Sequence, residues 1–178
     1  MPRIEEPPEP WQSFLADVDR ELREEVHLYW CGGFVVTQLY ALGRTTSDVD
    51  FLGLVPNIRS TLLELAGKGS ALHRKHRVYL DAVTVTTPPE NFMERLVPLF
   101  SHAGRRLRLF ALEAHDLALS KLERNIDRDR VDVEHLARAG YLKPDILRQR
   151  YYEELRPYLV NEARHDLTLK LWLESFWS

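Results

Sequence analysis

The spacing of apolar residues changes period along the chain and predicts an alternating core followed by helices. Trp11, Phe14, Leu15, Val18 and Leu22 recur at three- and four-residue intervals, so residues 11–25 predict a helix with one buried stripe. VHLYWC (Val26 to Cys31) is β-branched and aromatic and stops at Gly32-Gly33, which predicts a buried strand. FVVTQLYALG returns to helical character and is expected to end at Gly43. DVDFLGLV predicts a second strand closed by Pro56, and Ile58 to Leu65 a helix ending near Gly67. HRVYLDAVTV predicts a third strand stopped by Pro88-Pro89, and RLRLFAL a fourth, while Leu96 to Phe100 carries no decisive period.

From Glu113 onward the pattern is helical throughout. EAHDLALSKLERN predicts one helix and DRVDVEHLARAG a second that stops at Gly140. Pro144 suits a first helical position ahead of DILRQRYYEELRPYL, and EARHDLTLKLWLESFW supplies a last helix. The order predicts an α/β (α+β) fold in three parts: an extended lead over 1–10, an α/β core over 11–112, and a helical region packed on it over 113–178.

Composition narrows the function classes. With 44% hydrophobic and 29% charged residues the chain has an ordinary globular balance. Its net charge of -3 argues against a basic nucleic-acid coat, so a nucleic-acid partner would need a local patch such as HRKHR (73–77) or GRRLR (104–108). Both clusters read more readily as solvated hairpin or loop ends. A single cysteine, Cys31, excludes an internal disulfide and reads as packing in a reducing compartment. No apolar run approaches the ~20 residues of a membrane span, and the acidic, Pro-rich start lacks a signal-peptide core. A cytoplasmic protein without membrane partners is expected. Trp172, Phe176 and Trp177 sit at helical spacing, which suits a core or dimer contact better than a base-stacking platform.

The segment CGGFVVTQLYALGRTTSDVDF carries the chemistry. Asp48 and Asp50 sit at i and i+2 where a strand begins, so both carboxylates face one side. Like charges that close repel unless a cation lies between them, and Mg²⁺ prefers carboxylate and phosphate oxygens. Thr46-Ser47-Asp48 also reads as plain turn and cap chemistry. Gly32-Gly33, between a strand and a helix, permits close backbone approach at a helix N-terminus suited to phosphate, or serves only a tight turn. Asp81 lies within an apolar strand. It reads as a third ligand, as the base for an acceptor hydroxyl, as a surface acid on an edge strand, or as an acid paired with Arg77.

Gly-Gly, a helix, Asp-hydrophobic-Asp on a strand and a lone acid on a later strand resembles the nucleotidyltransferase superfamily of the DNA polymerase beta type. Arg44 and Thr46, with Ser47, ahead of the paired acids are similar to the abortive-infection toxin branch, the AbiEii-type nucleotidyltransferases, and to a related group of small bacterial proteins. So are Asp116, Leu117 and Ala118 followed by Lys121, Arg128, Asp129 and Asp132. The likeness spans roughly residues 28 to 136.

The resemblance implies a minimal nucleotidyltransferase mixed sheet flanked by helices, with a nucleoside triphosphate as substrate. It implies Mg²⁺ or Mn²⁺ on Asp48, Asp50 and Asp81, and a catalytic set of these three with Lys121. Nucleotide contacts would come from Gly32, Gly33, Arg44, Thr46, Ser47, Lys121, Asp129 and Asp132. By the same likeness the acceptor is an RNA, as at transfer-RNA 3′ ends, and a cognate toxin–antitoxin partner protein is expected. Read as residues alone, Lys121 suits a solvated lysine, and Asp129 and Asp132 suit a helix N-terminus paired with Arg128 and Arg130. The Lys121-to-Asp129 gap is shorter than in the larger toxins, which motivates the alternative of an inactive nucleotide-binding, antitoxin-like or adaptor protein.

Overall fold

The computed structural model describes residues 6–43, 45–83, 86–100 and 104–177. They form two compact units, Met1–Thr84 with Val97–Ala111, and Val85–Leu96 with Leu112–Ser178.

The first unit is the α/β core. Helix α1 (Trp11–Glu21) leads into β1 (Val26–Cys31), α2 (Gly32–Leu39), β2 (Asp48–Leu52), α3 (Pro56–Ala66), α4 (Ala71–His76), β3 (Tyr79–Val83), β4 (Val97–Leu99) and β5 (Leu107–Ala111). The strands make one mixed sheet in the order β3-β2-β1-β5-β4. β1 runs antiparallel to β2 and parallel to β5, and β2 runs parallel to β3. Apolar side chains bury this sheet against its helices: Trp30 and Leu28 of β1, Phe34 and Val35 of α2, and Phe14 and Leu15 of α1 are all at most 2% exposed.

Two expectations change. The third strand begins at Tyr79, because His73–His76 form the last turn of α4 and Arg77 closes it at φ 64°. α4 buries none of its residues, so no apolar period announces it. Ser70 caps it by accepting the His73 N–H, and Asp17 of α1 holds its end through Lys75 at 2.5 Å and His76 at 2.8 Å. α2 stops at Leu39, ahead of Gly43. Asp19 accepts the Arg106 and Leu107 N–H groups at 2.7 Å, and a Cβ on Gly104 would lie 2.6 Å from Asp19 Cγ.

The second unit is helical. It contains a 3₁₀ turn at Phe92–Arg95, α5 (Ala114–Ser120), α6 (Asp127–Arg138), α7 (Pro144–Arg150) and α8 (Glu162–Phe176). The single helix expected after Pro144 breaks into α7, a π-helical turn over Tyr151–Leu155 and a 3₁₀ turn at Arg156–Tyr158. Trp172 is 2% exposed and its indole N–H donates to Asn125 at 3.2 Å, which makes it a core residue. Residues 85–96 join this unit because Arg95 forks onto the fully buried Asp116 at 2.8 and 3.0 Å and Thr86 donates to the Ser120 carbonyl. No helix among the described residues is long and apolar enough to cross a membrane.

Candidate active site

Sheet register brings the acids together. Asp50 pairs with Asp81 across β2 and β3, and Asp48 pairs with Tyr79. Paired residues on neighbouring strands project to the same face, so two aspartates of β2 and one of β3 share it. One carboxylate oxygen from each of Asp48, Asp50 and Asp81 can be chosen so that all lie within 4.8 Å of one another. Asp48 and Asp50 are half-buried and Asp81 is exposed. Among the described residues Arg77 and Asp81 form no ion pair.

Like charges directly opposite in a sheet are destabilising. A hard divalent cation reverses that sign. Around Mg²⁺, with oxygens at 2.0–2.1 Å, trans ligands are ~4.2 Å apart, and the three carboxylate oxygens lie within 4.8 Å of one another. The donors are carboxylate oxygens alone, the set that suits Mg²⁺ or Mn²⁺ over zinc.

The Asp50 carboxylate is seated on backbone. Cys31 pairs with Asp50 in the antiparallel register, so the next residue, Gly32, meets its side chain. Gly32 has φ 76°, and a Cβ there would lie 2.7 Å from both Cβ and Cγ of Asp50, with Oδ2 closer still. Only glycine supplies both that backbone conformation and that clearance. Gly32 and Gly33 are the first two residues of α2 rather than a turn before it. Asp48 is oriented from the other side by the Thr46 hydroxyl, which bonds its carboxylate. Ser47 is exposed, and its carbonyl accepts the Tyr79 N–H at 3.1 Å. Arg44 lies outside the described residues.

Tyr79 was missed in the sequence, although it precedes Asp81 by two residues and therefore shares its face. Burial, then the charges of Asp48, Asp81 and Asp50, push its phenol above the ordinary value. His73 stands edge-on to its ring with centroids 4.9 Å apart, and Lys68 Nζ lies 5.9 Å from the ring centroid.

The remaining sequence candidates belong to the second unit. Lys121 is 4% exposed, with Nζ 2.8 Å from Asp132 and 3.5 Å from Asp129. Asp129 also accepts a fork from Arg124 at 2.8 and 2.6 Å and the Ile126 N–H at 3.2 Å. Burial raises the Asp129 carboxyl, but Arg124 and Lys121 outweigh it and hold it below the ordinary value. The expected pairing with Arg128 and Arg130 is replaced by Arg124 and Lys121, while Arg130 engages Asp127.

Residues 15–176 match the family described as "Nucleotidyltransferase of unknown function (DUF6036)". The chain belongs to that family. Membership carries the nucleotidyltransferase resemblance, and with it a nucleotide substrate, but does not reach the toxin branch. The five-stranded mixed sheet with flanking helices is consistent with a minimal nucleotidyltransferase fold. No curated protein and no solved structure matches the chain.

Proposed function

We propose that the protein is a Mg²⁺- or Mn²⁺-dependent nucleotidyltransferase that moves a nucleoside monophosphate from a nucleoside triphosphate to an acceptor hydroxyl. One observation carries this reading: Asp48, Asp50 and Asp81 converge on one face, with Asp50 seated on Gly32 where α2 begins. The three carboxylates would hold the cation. Bound there, it supplies neutralisation of charge on the phosphoryl oxygens. The first N–H groups of α2, at Gly32 and Gly33, would receive triphosphate oxygens at the helix start. Thr46 keeps the Asp48 carboxylate oriented.

In the transfer, the acceptor oxygen bonds to the α-phosphorus and the bond to pyrophosphate breaks. Asp81, the exposed member of the set, takes the hydroxyl proton. Likeness to the AbiEii-type branch supports an RNA acceptor, a triphosphate contact for Arg44 and a cognate partner protein. A second reading, nucleotide binding without transfer, is favoured by Lys121, whose ammonium is held by Asp132 and Asp129.

The test is transfer of label from each of the four α-labelled nucleoside triphosphates to total RNA and to total protein. Labelled product that disappears in Asp50→Ala supports the enzyme. Mg²⁺-dependent nucleotide binding without product supports the second reading, and absence of both removes the site.

A further inference from the structure

The acidic cluster has two flanks, and they differ in chemistry. In the sheet order β3-β2-β1, the start of α2 lies on the β1 side of the acids, while Tyr79 lies on β3, at the opposite edge. On that far side a short loop joins α3 to α4. Its shape is fixed by its own residues: Gly69 adopts φ 87°, Ser70 caps α4, and Arg74 donates to the Gly69 carbonyl at 2.6 Å. His73 Nδ1 accepts the Gly69 N–H at 2.9 Å, which places the ring proton on Nε2 as a donor. The loop carries Lys68, which is exposed and rests over the Tyr79 ring.

A preformed loop that holds an ammonium, with an imidazole N–H and a phenol O–H beside it, offers three groups that can donate to an anion. Its position matters as much. Tyr79 is two residues before Asp81 on the same face, a separation of roughly 7 Å along the strand. A hydroxyl delivered to Asp81 would therefore have its neighbouring group at Lys68, His73 and Tyr79. An anion approaching three carboxylates is repelled, so a cationic rim on the acceptor side selects an acceptor that brings a negative group with it.

Building on the function proposed above, we propose that Lys68, His73 and Tyr79 form an anion subsite for a phosphate group carried by the acceptor next to its reacting hydroxyl. The shared chemistry is a phosphate one sugar away from a free hydroxyl, which a nucleotide chain and a sugar phosphate both offer.

The test is amide NMR titration of the full chain, with Mg²⁺ alone and with Mg²⁺ plus α,β-methylene-ATP. The probes are adenylyl-3′,5′-adenosine against adenosine, and ribose 5-phosphate against ribose. Each phosphate-bearing probe is expected to shift the amides of Lys68, Gly69 and Tyr79 where its uncharged counterpart does not. Preference for the dinucleotide assigns a nucleotide chain, and preference for ribose 5-phosphate a sugar phosphate. Lys68→Ala should weaken the phosphate-bearing probe about fivefold and Tyr79→Phe about twofold, with the ATP analogue unchanged within about twofold. Lys68 is exposed, so its variant keeps the fold. Equal binding of charged and uncharged probes overturns the subsite. So does a Lys68→Ala variant that loses the ATP analogue as strongly as the dinucleotide, because the rim would then serve the triphosphate. Failure of the parent reading looks different: the ATP analogue would not bind, or its binding would survive Asp50→Asn, while the anion titration in Mg²⁺ alone would still stand or fall on its own.

Discussion

Gly32→Ala tests whether the acidic cluster is built on that glycine. The added Cβ would sit 2.7 Å from Cβ and Cγ of Asp50 and nearer still to Oδ2, against the ~3.5–4.0 Å optimum for packed carbon atoms. Rotating the Asp50 side chain relieves the oxygen but takes the carboxylate out of the cluster, and the Cβ–Cβ clash stays. Backbone strain adds to this. At φ 76° any L-residue costs about 1–2 kcal/mol relative to glycine. Gly140 supplies the control, since it has φ 77° with nothing within 4 Å of its Cβ position. Gly140→Ala should lose about 1–2 kcal/mol by backbone alone, and Gly32→Ala about 1–3 kcal/mol more from overpacking. At roughly 2–4 °C per kcal/mol for a chain of this size, differential scanning calorimetry separates the two. Electron paramagnetic resonance of free Mn²⁺ gives the second readout. Gly140→Ala should bind as the unmodified chain does, and Gly32→Ala at least about tenfold more weakly. A Gly32→Ala protein that melts with Gly140→Ala and keeps its Mn²⁺ affinity would refute the reasoning.

Burial raises the Glu113 carboxyl, but hydrogen bonds from His115 and Arg150 bring it down to about 2. A depressed carboxyl contributes stability that is complete above about pH 4.5 and fades as pH falls toward 2, so Glu113→Gln should remove up to about 3 kcal/mol of the acid-side loss in urea titrations between those values. An unchanged slope against pH would contradict the assignment. Lys121→Met removes the buried ammonium that Asp132 and Asp129 share and should cost about 3–5 kcal/mol by chemical denaturation. A lysine that only touched triphosphate would lower nucleotide affinity and leave stability alone. Gly104→Ala places a Cβ 2.6 Å from Asp19 Cγ and should cost about 1–3 kcal/mol, a loss that Asp19→Ala, which removes the clashing carboxyl, should make non-additive in a double-mutant cycle.

The acids were legible because their constraint is local. Period two puts Asp48 and Asp50 on one face whatever the rest of the chain does. Asp81 joins them if its strand lies alongside, and in the observed register it stands opposite Asp50. The seat beneath Asp50 was not legible, since it depends on Cys31 meeting Asp50 across an antiparallel pair 19 residues apart. α4 was invisible for a related reason: it has no apolar stripe and is held by Asp17, 59 residues before His76. Tyr79 carried a readable signal, its period-two relation to Asp81, but an aromatic residue in a strand reads first as packing.

Lys121, Asp129 and Asp132 show what a motif match conveys and what it omits. The match identified three residues and gave each the same destination, the nucleotide. Spacing alone contains a different relation. Asp129 and Asp132 are i and i+3 on α6 and so share one face of that helix. Lys121 follows the end of α5, which packs against α6, and its ammonium meets both carboxylates. A buried ammonium needs a buried counter-charge, and a second acid at i+3 supplies another on the same side. The motif spacing is thus accounted for by an ion-pair cluster inside the helical unit. Any role for Lys121 at a triphosphate requires the phosphate to compete with two carboxylates already in place. Asp48, Asp50 and Asp81 differ in kind: sheet register gathers three like charges on one face, and the proposed cation site rests on that gathering.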